Sequence, residues 1–301
     1  MKNIINFENH AGKLLIIVLS FAFLVSCEDE PPNIYIQRYY VEGYLFVDKS
    51  PSGIKVFNTQ PIGEVYDYEQ AIEKDADVTL TDADGNTYKL IYRDGDDPGY
   101  YYPDENLIVE RQKKYKLEIN TSDGKYLWAE TTTPDTISWI TPPKNVIYYP
   151  KEDGSLPAVD SLEIQWTSAE KSNFYLLYTI NKDTLEYGKY LQPPTDEPNR
   201  RIKNLFSDRG GSSDYYKNES FMTVIANTKT PTVWLAFKWF GLHDVDIVVP
   251  DFNLLKWFVQ TNWSGSVFDP LSSSIQGDGF GVFGSAYRIS QEMMLMKPEK
   301  E

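Results

Sequence analysis

The sequence predicts a mainly all-β protein with two β-sandwich-like domains, the second carrying one helix and a long loop insertion. Three observations support this prediction. Short runs of alternating apolar and polar residues recur along the chain. Asp-Gly and related turn sequences separate these runs, as in antiparallel hairpins. A stretch with three prolines, Pro134, Pro142 and Pro143, divides the runs into two groups.

The first domain is predicted to span 37–134. In YYVEGYLFV, Val41 and Leu45 fall on one face and Tyr40 and Tyr44 on the other, which suits a strand covered on both sides. ADVTLTDADGNTYKLIY predicts a hairpin, because two alternating runs flank residues that favour turns. YKLEI and KYLWAETTT add two strands around the turn NTSDGK. Together these short strands predict an immunoglobulin-like or transthyretin-like sandwich.

The second domain is predicted to span 146–292, after a Pro-rich linker at 135–145. LEIQWTS and NFYLLYTI alternate as strands, and Trp166 ahead of a Tyr-containing strand is similar to the start of a fibronectin type III domain. The region from 183 to 220 is rich in Pro, Gly, Asp and Ser, which predicts a long loop.

The C-terminal part of this domain contains further elements. FMTVIA and TVWLAFKWFG predict strands. PDFNLLKWFVQTN predicts the helix, with Asp251 as its cap and an apolar stripe on one side. GDGFGVFGSAYRIS predicts a closing strand in which glycines permit close main-chain contact. We expect residues 293–301 to form a charged tail.

Residues 1–26 predict a lipoprotein signal peptide. Lys2 and Lys13 precede an apolar segment, 14–25, that is too short to span a bilayer. The segment ends in LVSC, and Cys27 is the one cysteine of the chain. This layout is typical of a bacterial lipoprotein, so we expect acyl chains such as palmitate on Cys27 to hold the protein at the outer membrane.

An acidic, Pro-containing tether is predicted at 27–36. Glu28, Asp29 and Glu30 repel one another and keep this segment extended. The sequence CEDE also resembles the export signal of Bacteroidota lipoproteins that reach the cell surface. We therefore expect the protein to face the cell exterior, with a periplasm-facing anchor as the alternative.

The composition excludes several classes of function. A net charge of −15 without clustered Lys and Arg argues against nucleic acid as a partner. One cysteine excludes an intramolecular disulfide framework and Cys-rich zinc sites. Beyond the signal peptide the chain has one histidine, His243, so a Ser-His-Asp hydrolase would depend on it. We expect no catalytic residues and no cofactor, and a hydrolase that uses His243 or paired carboxylates is an alternative.

Two Asp-rich turns offer oxygen ligands for calcium. The first contains Asp82, Asp84 and Asn86. The second, RDGDDPG, contains Asp94, Asp96 and Asp97. Neither has the full spacing of an EF-hand loop, so we expect turns without a metal, and calcium binding is the alternative.

Two further groups of residues are candidates for binding or modification. Aromatic side chains that could stack on a ligand or enter a partner's pocket are Tyr100, Tyr101, Tyr102, Trp234 and Trp239. Three short Asp-Ser/Thr-apolar triplets resemble O-glycosylation sites of Bacteroidota. Their acceptor residues are Thr136, Ser161 and Thr184.

The order of these segments resembles a Bacteroidota lipoprotein family catalogued as domain of unknown function 4249. The shared features are the signal ending at Cys27, followed by YYVEGYLF, ADVTLTDADGNTYKL, DPGYYYP, YKLEINTSDGKYLWAETTTP, FSDRGG and GFGVFGSA. The segment from Lys144 to Ser220 departs most from the family pattern. The resemblance implies an outer-membrane lipoprotein that is often encoded beside a TonB-dependent receptor.

Together with the absence of a catalytic motif, the resemblance implies a non-enzymatic accessory or capture protein for a TonB-dependent transporter in the outer membrane. The alternative is a structural or adhesive surface protein, whose binding would not depend on the transporter. The sequence names neither the ligand nor the oligomeric state.

Overall fold

The computed structural model describes residues 35–61, 63–104, 106–150, 160–182, 220–237, 239–263 and 273–297. The chain divides into two units, one of Met1–Gln37 with Pro61–Glu64 and one of Arg38–Gln60 with Val65–Glu301. The first unit lies mostly outside the described residues. All elements below belong to the second unit.

The described residues are mainly β, as the sequence predicts. Their strands are β1 Tyr39–Phe46, β2 Lys55–Asn58, β3 Asp77–Asp82, β4 Thr87–Arg93, β5 Gly99–Tyr101, β6 Lys114–Asn120, β7 Tyr126–Thr132, β8 Trp139–Thr141, β9 Val146–Tyr148, β10 Ile164–Trp166, β11 Tyr175–Asn181, β12 Ser220–Ile225, β13 Lys229–Thr230, β14 Gly241–Pro250, β15 Gln276–Gly277 and β16 Gly279–Met296. Two α-helices, α1 Tyr68–Ala71 and α2 Phe252–Trp263, and two 3₁₀ helices, η1 Asp160–Leu162 and η2 Trp234–Ala236, accompany them.

A six-stranded antiparallel sheet has the order β15-β7-β6-β3-β4-β5. It contains the predicted β3–β4 hairpin, with Val78 opposite Leu90 and Leu80 opposite Tyr88. Gly85 in the turn has a φ of 84°, a left-handed conformation that glycine adopts without steric cost. The local pattern therefore predicts both the strands and the turn correctly.

A seven-stranded sheet has the order β12-β11-β14-β16-β1-β2, with β9 paired to the far end of β16. Strand β16 is 18 residues long. It pairs in parallel with β1 and antiparallel with β14. A third sheet has the order β13-β10-β8. Strand β16, the last strand of the described chain, thus pairs with the first strand, β1, and also with β14 and β9.

Two buried clusters fill the space between the sheets. Val41, Leu80 and Phe283 belong to the first cluster, between β1 and β16 on one side and the six-stranded sheet on the other. Trp166 and Leu295 belong to the second, which also draws on β10, β11 and β14. Each fully buried side chain of this size contributes roughly 1.5–3 kcal/mol to stability. Because β16 supplies residues to both clusters, the two cores are structurally linked.

The strand pairing crosses the predicted division of the chain. Strand β8 lies inside the predicted linker, 135–145, and pairs with β10, so this segment is not a free linker. Strand β1, before it, pairs with β16, after it. Segments 37–134 and 146–292 therefore share one sheet, and their independent folding stays a prediction. Pairing between segments this far apart leaves no local signal in the sequence.

The prediction of a strand across TVWLAFKWFG is wrong at its centre, where η2 lies instead. Trp234, Phe237 and Phe240 are all buried. Their spacing of three residues matches the period of a 3₁₀ turn and not the alternation of a strand. A continuous apolar run does not by itself distinguish the two conformations.

The predicted charged tail, 293–301, begins too early in the sequence, so its predicted first residue is wrong. Strand β16 continues to Met296. Met293 and Leu295 are buried, and Met294 between them is half-buried. This alternation is that of a strand with one covered face, and the charged residues that follow obscured it in the sequence.

Gly281 confirms that a glycine is needed where β16 approaches β1. Its φ is 129°, a conformation that side chains rarely adopt. A Cβ atom at this position would overlap the carbonyl oxygen of Val41 in the neighbouring strand. The glycine therefore permits the parallel β1–β16 pairing.

Candidate binding site

One face of the seven-stranded sheet carries aromatic and charged side chains. Tyr44 of β1, Tyr178 of β11, Asp246 of β14 and Arg288 of β16 share this face. Asp246 lies opposite Tyr178 on one side and Ser290 on the other. Because strand residues alternate between faces, the same register directs the neighbouring apolar residues to the cores.

Helix α2 covers part of this face. It begins after Asp251 as predicted, and Asp251 Oδ1 accepts a hydrogen bond from the main-chain nitrogen of Leu254 at 2.9 Å. Phe258 of the helix packs with Leu176 and Val248 of the sheet. The helix therefore stands on an apolar part of the sheet, and the polar residues lie beside it.

A groove of about 380 Å³ runs between the helix and the sheet. We call it the α2 groove. Its walls include Tyr44, Phe46, Tyr178, Met222, Asp246 and Trp257. Small-molecule sites typically have volumes of about 300–1,000 Å³ and walls that are mostly apolar with a few polar groups. The size and the lining of the α2 groove fit this description.

Asp246 and Arg288 form the charged part of the α2 groove. The Asp246 side chain is 3% exposed, and its Oδ2 lies 3.5 Å from Arg288 Nη1. The other carboxylate oxygen, Oδ1, is buried and accepts no hydrogen bond of normal geometry from any described residue. Burial raises the pKa of Asp246, and the nearby Ser290 hydroxyl and Arg288 only partly oppose this effect. Asp246 thus offers a ligand a hydrogen-bond acceptor without a strong partner.

The two tyrosines of the α2 groove keep their protons at neutral pH. Burial raises the pKa of Tyr178 to about 12, with a further contribution from the charge of Asp246. Burial also raises the pKa of Tyr44 far above its ordinary value, and Glu42 adds to this effect. The Tyr44 hydroxyl donates to Glu42 Oε1 at 2.9 Å. Both rings can therefore present neutral aromatic surface to a ligand.

A second groove, of about 560 Å³, adjoins the first. We call it the basic groove, and its walls include Lys49, Ser50, Arg93, Tyr101 and Tyr102. Phe46 and Arg288 line both grooves. The two cavities therefore meet at these two side chains.

The predicted aromatic residues separate into core and groove positions. Tyr100 is 1% exposed and Trp234 is 4% exposed, so neither can meet a ligand from solvent, and their prediction as binding residues is wrong. The Tyr100 hydroxyl donates to Glu73 O at 3.0 Å within the protein. Tyr101 and Tyr102 are half-buried in the basic groove, and Trp239 is half-buried elsewhere. Alternation and a neighbouring proline do not determine which ring of a Tyr run is covered.

Several predicted sites lie outside the described residues. These are the lipidation site Cys27, the acidic residues Glu28, Asp29 and Glu30, and the glycosylation candidate Thr184. The other two candidates are described: Ser161 is exposed in η1, and the half-buried Thr136 hydroxyl accepts a hydrogen bond from Arg111 at 3.3 Å.

The first Asp-rich turn is organised around a lysine. Asp82 accepts hydrogen bonds from Asp84 N at 2.9 Å and from Asn86 N at 3.0 Å. Lys113 Nζ lies 3.1 Å from Asp82 Oδ2, 2.8 Å from Asp84 and 2.6 Å from Glu110. An ammonium group thus occupies the position that calcium would need.

The second Asp-rich turn is also bound to lysines. Asp97 Oδ1 lies 2.6 Å from Lys55 Nζ, and Asp94 lies 3.4 Å from Lys74. Across the part of the chain that the structure describes, no three acidic, His or Cys side chains cluster in a way that could hold a metal ion.

His243 is a packed residue of the seven-stranded sheet. It is 2% exposed, and its ring stands edge-on to Phe237 at 5.2 Å. Asn181 Nδ2 lies 3.3 Å from Nε2, and Gly241 O lies 3.0 Å from Nδ1. With Asn181 as donor to Nε2, the Nδ1 proton goes to Gly241 O, which assigns a neutral tautomer. The ring is oriented for packing within the sheet.

Sequence reasoning missed the charged residues of the α2 groove. Asp246 was visible as an acid inside the apolar run VDIVV, where a charge is unusual without a functional or structural partner. Arg288 gave no such signal, because it follows a glycine-rich stretch in a strand with mixed composition. Only the β14–β16 register brings the two together.

Comparison with family models identifies the group to which the protein is related. The model described as "Domain of unknown function (DUF4249)" matches residues 28–286, which include every strand from β1 to β15 and most of the α2 groove. The chain belongs to this family. The model begins directly after Cys27 and ends two residues before Arg288. The family description assigns no activity.

Other comparisons add little. No curated protein matches the chain. Among solved structures, a two-domain fibronectin type III segment of chicken tenascin matches with 10% identity, 86% of this chain and 99% of that chain covered, and a TM-score of 0.21. A similarity this weak carries no argument about fold or function. In the described segments of this DUF4249 protein, we find no helix with the length and apolarity that a membrane span requires.

Proposed function

We propose that this protein is a non-enzymatic lipoprotein of the outer membrane that captures a solute for a TonB-dependent transporter. The observation that carries the proposal is the α2 groove, in which aromatic rings lie around the buried Asp246 and the exposed Arg288 that pairs with it. The groove is part of a folded sheet and helix, so a ligand would bind to a preformed surface and lose little free energy to ordering. The ligand would contact side chains from β1, β11, β14, β16 and α2.

The composition of the α2 groove favours binding. Phe46 is 36% exposed and Trp257 only 7%, so the groove has an accessible aromatic wall and a firmly packed one. Aromatic walls bind the apolar surface of a ligand, and a few polar groups fix its orientation. Asp246 and Arg288 are placed to supply that orientation.

The sequence supports the location. A lipid on Cys27 would anchor the body, and the export signal Glu28, Asp29 and Glu30 would direct it to the cell exterior. A capture protein on that side would meet solutes before the transporter does. The resemblance described above implies an accessory role beside such a transporter.

A Cys27→Ser variant tests the anchor. We expect the wild-type protein to fractionate with outer membranes and the variant to lose this association, because the thiol that would carry the acyl chains is absent. Membrane fractionation with immunodetection measures the change. Retention of the variant in the outer-membrane fraction would contradict lipid anchoring through this residue.

Purification from native membranes tests the partner. The lipidated protein, isolated in mild detergent, should co-purify with a barrel protein that mass spectrometry identifies as a TonB-dependent receptor.

A double variant, Tyr44→Ala with Met222→Ala, tests solute binding in the α2 groove. It should retain the barrel and lose the bound solute, since both residues line the groove. Purification without any barrel would count against the transporter role, and solute binding unchanged in the variant would count against the groove.

A further inference from the structure

Resting on the proposed function, we infer that the α2 groove and the basic groove form one site for an amphiphilic anion. The apolar part of the ligand lies in the α2 groove. Its carboxylate or phosphate group lies in the basic groove, beside Lys49, Arg93 and Arg288. The two parts meet at Phe46 and Arg288, which line both cavities.

The charge of the basic groove is opposite to that of the protein. Its wall contains three cationic side chains, Lys49, Arg93 and Arg288, and one acidic side chain, Asp48. The whole chain has a net charge of −15. Within the described part of the chain, Lys49 and Arg93 form no ion pair, and Arg288 has only the 3.5 Å contact with Asp246. Three cations gathered on an acidic protein predict an anionic ligand.

Both arginines are held in place with donors to spare. Arg93 Nη2 donates to Tyr102 O at 3.4 Å, and the guanidinium lies 5.4 Å from the centre of the Tyr101 ring. Arg288 lies 5.9 Å from the centre of the Phe46 ring. A guanidinium has five N–H donors, and each of these contacts occupies one at most. The remaining donors can bind a carboxylate or phosphate in the bidentate manner that arginine favours.

Main-chain hydrogen bonds fix the backbone of the segment that carries Lys49 and Ser50. Asp48 has a φ of 65°, a conformation that costs energy for residues other than glycine. Asp48 N donates to Val109 O at 3.0 Å, and Val109 N donates to Lys49 O at 2.9 Å. These bonds hold the main chain of this segment beside the groove, whose wall includes Lys49 and Ser50.

Ser50 supplies an independent indication of a ligand. Its Oγ atom is buried and has no hydrogen-bond partner among the described residues, although it belongs to the wall of the basic groove. Buried hydroxyls without a partner are uncommon in folded proteins, because each costs free energy. An anionic oxygen in the groove would accept this hydrogen bond.

The α2 groove determines the rest of the ligand. Beyond Phe46, its walls include the apolar side chains of Ile180, Met222 and Val248. Flexible methionine and branched aliphatic side chains fit an acyl chain or a substituted ring, and they offer few donors or acceptors to a sugar. The ligand class is therefore an organic anion with an apolar body.

Calorimetry with a matched pair of probes tests this site. The full lipidated chain in lipid nanodiscs is titrated with octanoate and with 1-octanol, and empty nanodiscs give the blank. We expect octanoate to bind about tenfold more tightly, the effect of one charge-assisted hydrogen bond. A third probe, octyl phosphate, separates the two head groups, and tighter binding than octanoate assigns a phosphate.

In a double variant, Lys49→Gln with Arg93→Gln, the dissociation constant of octanoate should come to within about twofold of that of octanol. Raising the salt concentration to about 0.5 M should have the same effect on the wild-type protein, because salt screens the attraction between charges. The control, Lys89→Gln with Lys171→Gln, removes two exposed cations outside both grooves and should leave the difference unchanged. Equal binding of octanoate and octanol would overturn the anion site and leave the α2 groove as a capture site. Binding of neither probe would overturn both this inference and the groove on which it rests.

Discussion

Replacing Asp251 by alanine is expected to lower the free energy of unfolding by about 3 kcal/mol. Asp251 Oδ1 accepts hydrogen bonds from Leu254 N at 2.9 Å and from Ser285 N at 3.0 Å. Its Oδ2 accepts one from the Thr131 hydroxyl at 2.7 Å. One carboxylate thus connects helix α2 to β16 and β7, and its loss affects all three elements.

The size of this effect follows from two contributions. Loss of a helix cap costs about 1 kcal/mol. Ser285 is fully buried and Thr131 is 3% exposed, so neither can turn to water when the carboxylate is removed. Each buried donor without a partner costs about 1–3 kcal/mol, and a remaining contact of 2.7 Å between the Thr131 and Ser285 hydroxyls reduces the loss.

Equilibrium unfolding in urea measures the change. Asp251→Asn retains an acceptor oxygen and should lose less stability than Asp251→Ala. The control, Asp96→Ala, removes an exposed carboxylate from a loop and should change stability by less than about 0.5 kcal/mol. A loss below about 1 kcal/mol for Asp251→Ala would contradict the connecting role. Because α2 forms one wall of the α2 groove, the variant should also weaken binding of the solute.

The sequence predicts the features that depend on neighbouring residues. The β3–β4 hairpin and helix α2 with its Asp251 cap are all encoded within short windows. Alternation, turn residues and caps act over distances of a few residues, so a single sequence contains their signals. The mainly β class follows from these elements alone.

The arrangement of the sheets and the α2 groove depends on distant residues and could not be predicted. Parallel pairing of β1 with β16 joins Val41 to Gly281, and no local pattern specifies that register. Asp246 and Arg288 likewise become neighbours only when β14 and β16 pair. A shift of β16 by one residue would turn Arg288 to the face opposite Asp246, so the site is a consequence of the register.

Replacing Asp82 by alanine is expected to lower the free energy of unfolding by about 3 kcal/mol at neutral pH. The Asp82 side chain is 2% exposed and lies 3.1 Å from Lys113 Nζ. It also accepts hydrogen bonds from the Asn86 amide side chain and the Tyr88 hydroxyl, both at 3.0 Å. Its removal leaves a lysine and several donors without their central acceptor. The control, Asp77→Ala, removes a half-exposed carboxylate that pairs with Lys89 in the same hairpin and should cost less than about 1 kcal/mol.

The effect of Asp82 should depend on pH in a specific direction. Burial alone would raise the pKa of Asp82, but hydrogen bonds from Asn86, Lys113 and Tyr88 outweigh it and hold the pKa well below its ordinary value. A carboxyl group with a lowered pKa stabilises the folded state above its unfolded pKa, and this contribution is lost as the pH falls through the folded value. The difference between wild type and Asp82→Ala should therefore be constant above about pH 5 and shrink below about pH 4.

Lys113 should show the opposite dependence. Its contacts with Asp84, Glu110 and Asp82 raise its pKa above the ordinary value, against the opposing effect of burial. A lysine with a raised pKa stabilises the folded state below its unfolded pKa, near 10.5, and loses that contribution as the pH rises through the folded value. The destabilisation caused by Lys113→Met should thus persist at pH 9 and diminish only in stronger alkali.

Thermal unfolding with and without calcium tests whether the Lys113 ammonium is the cation that organises this turn. We expect calcium to stabilise the Lys113→Met variant more than the wild-type protein. Equal stabilisation of the two proteins would contradict this role of the ammonium.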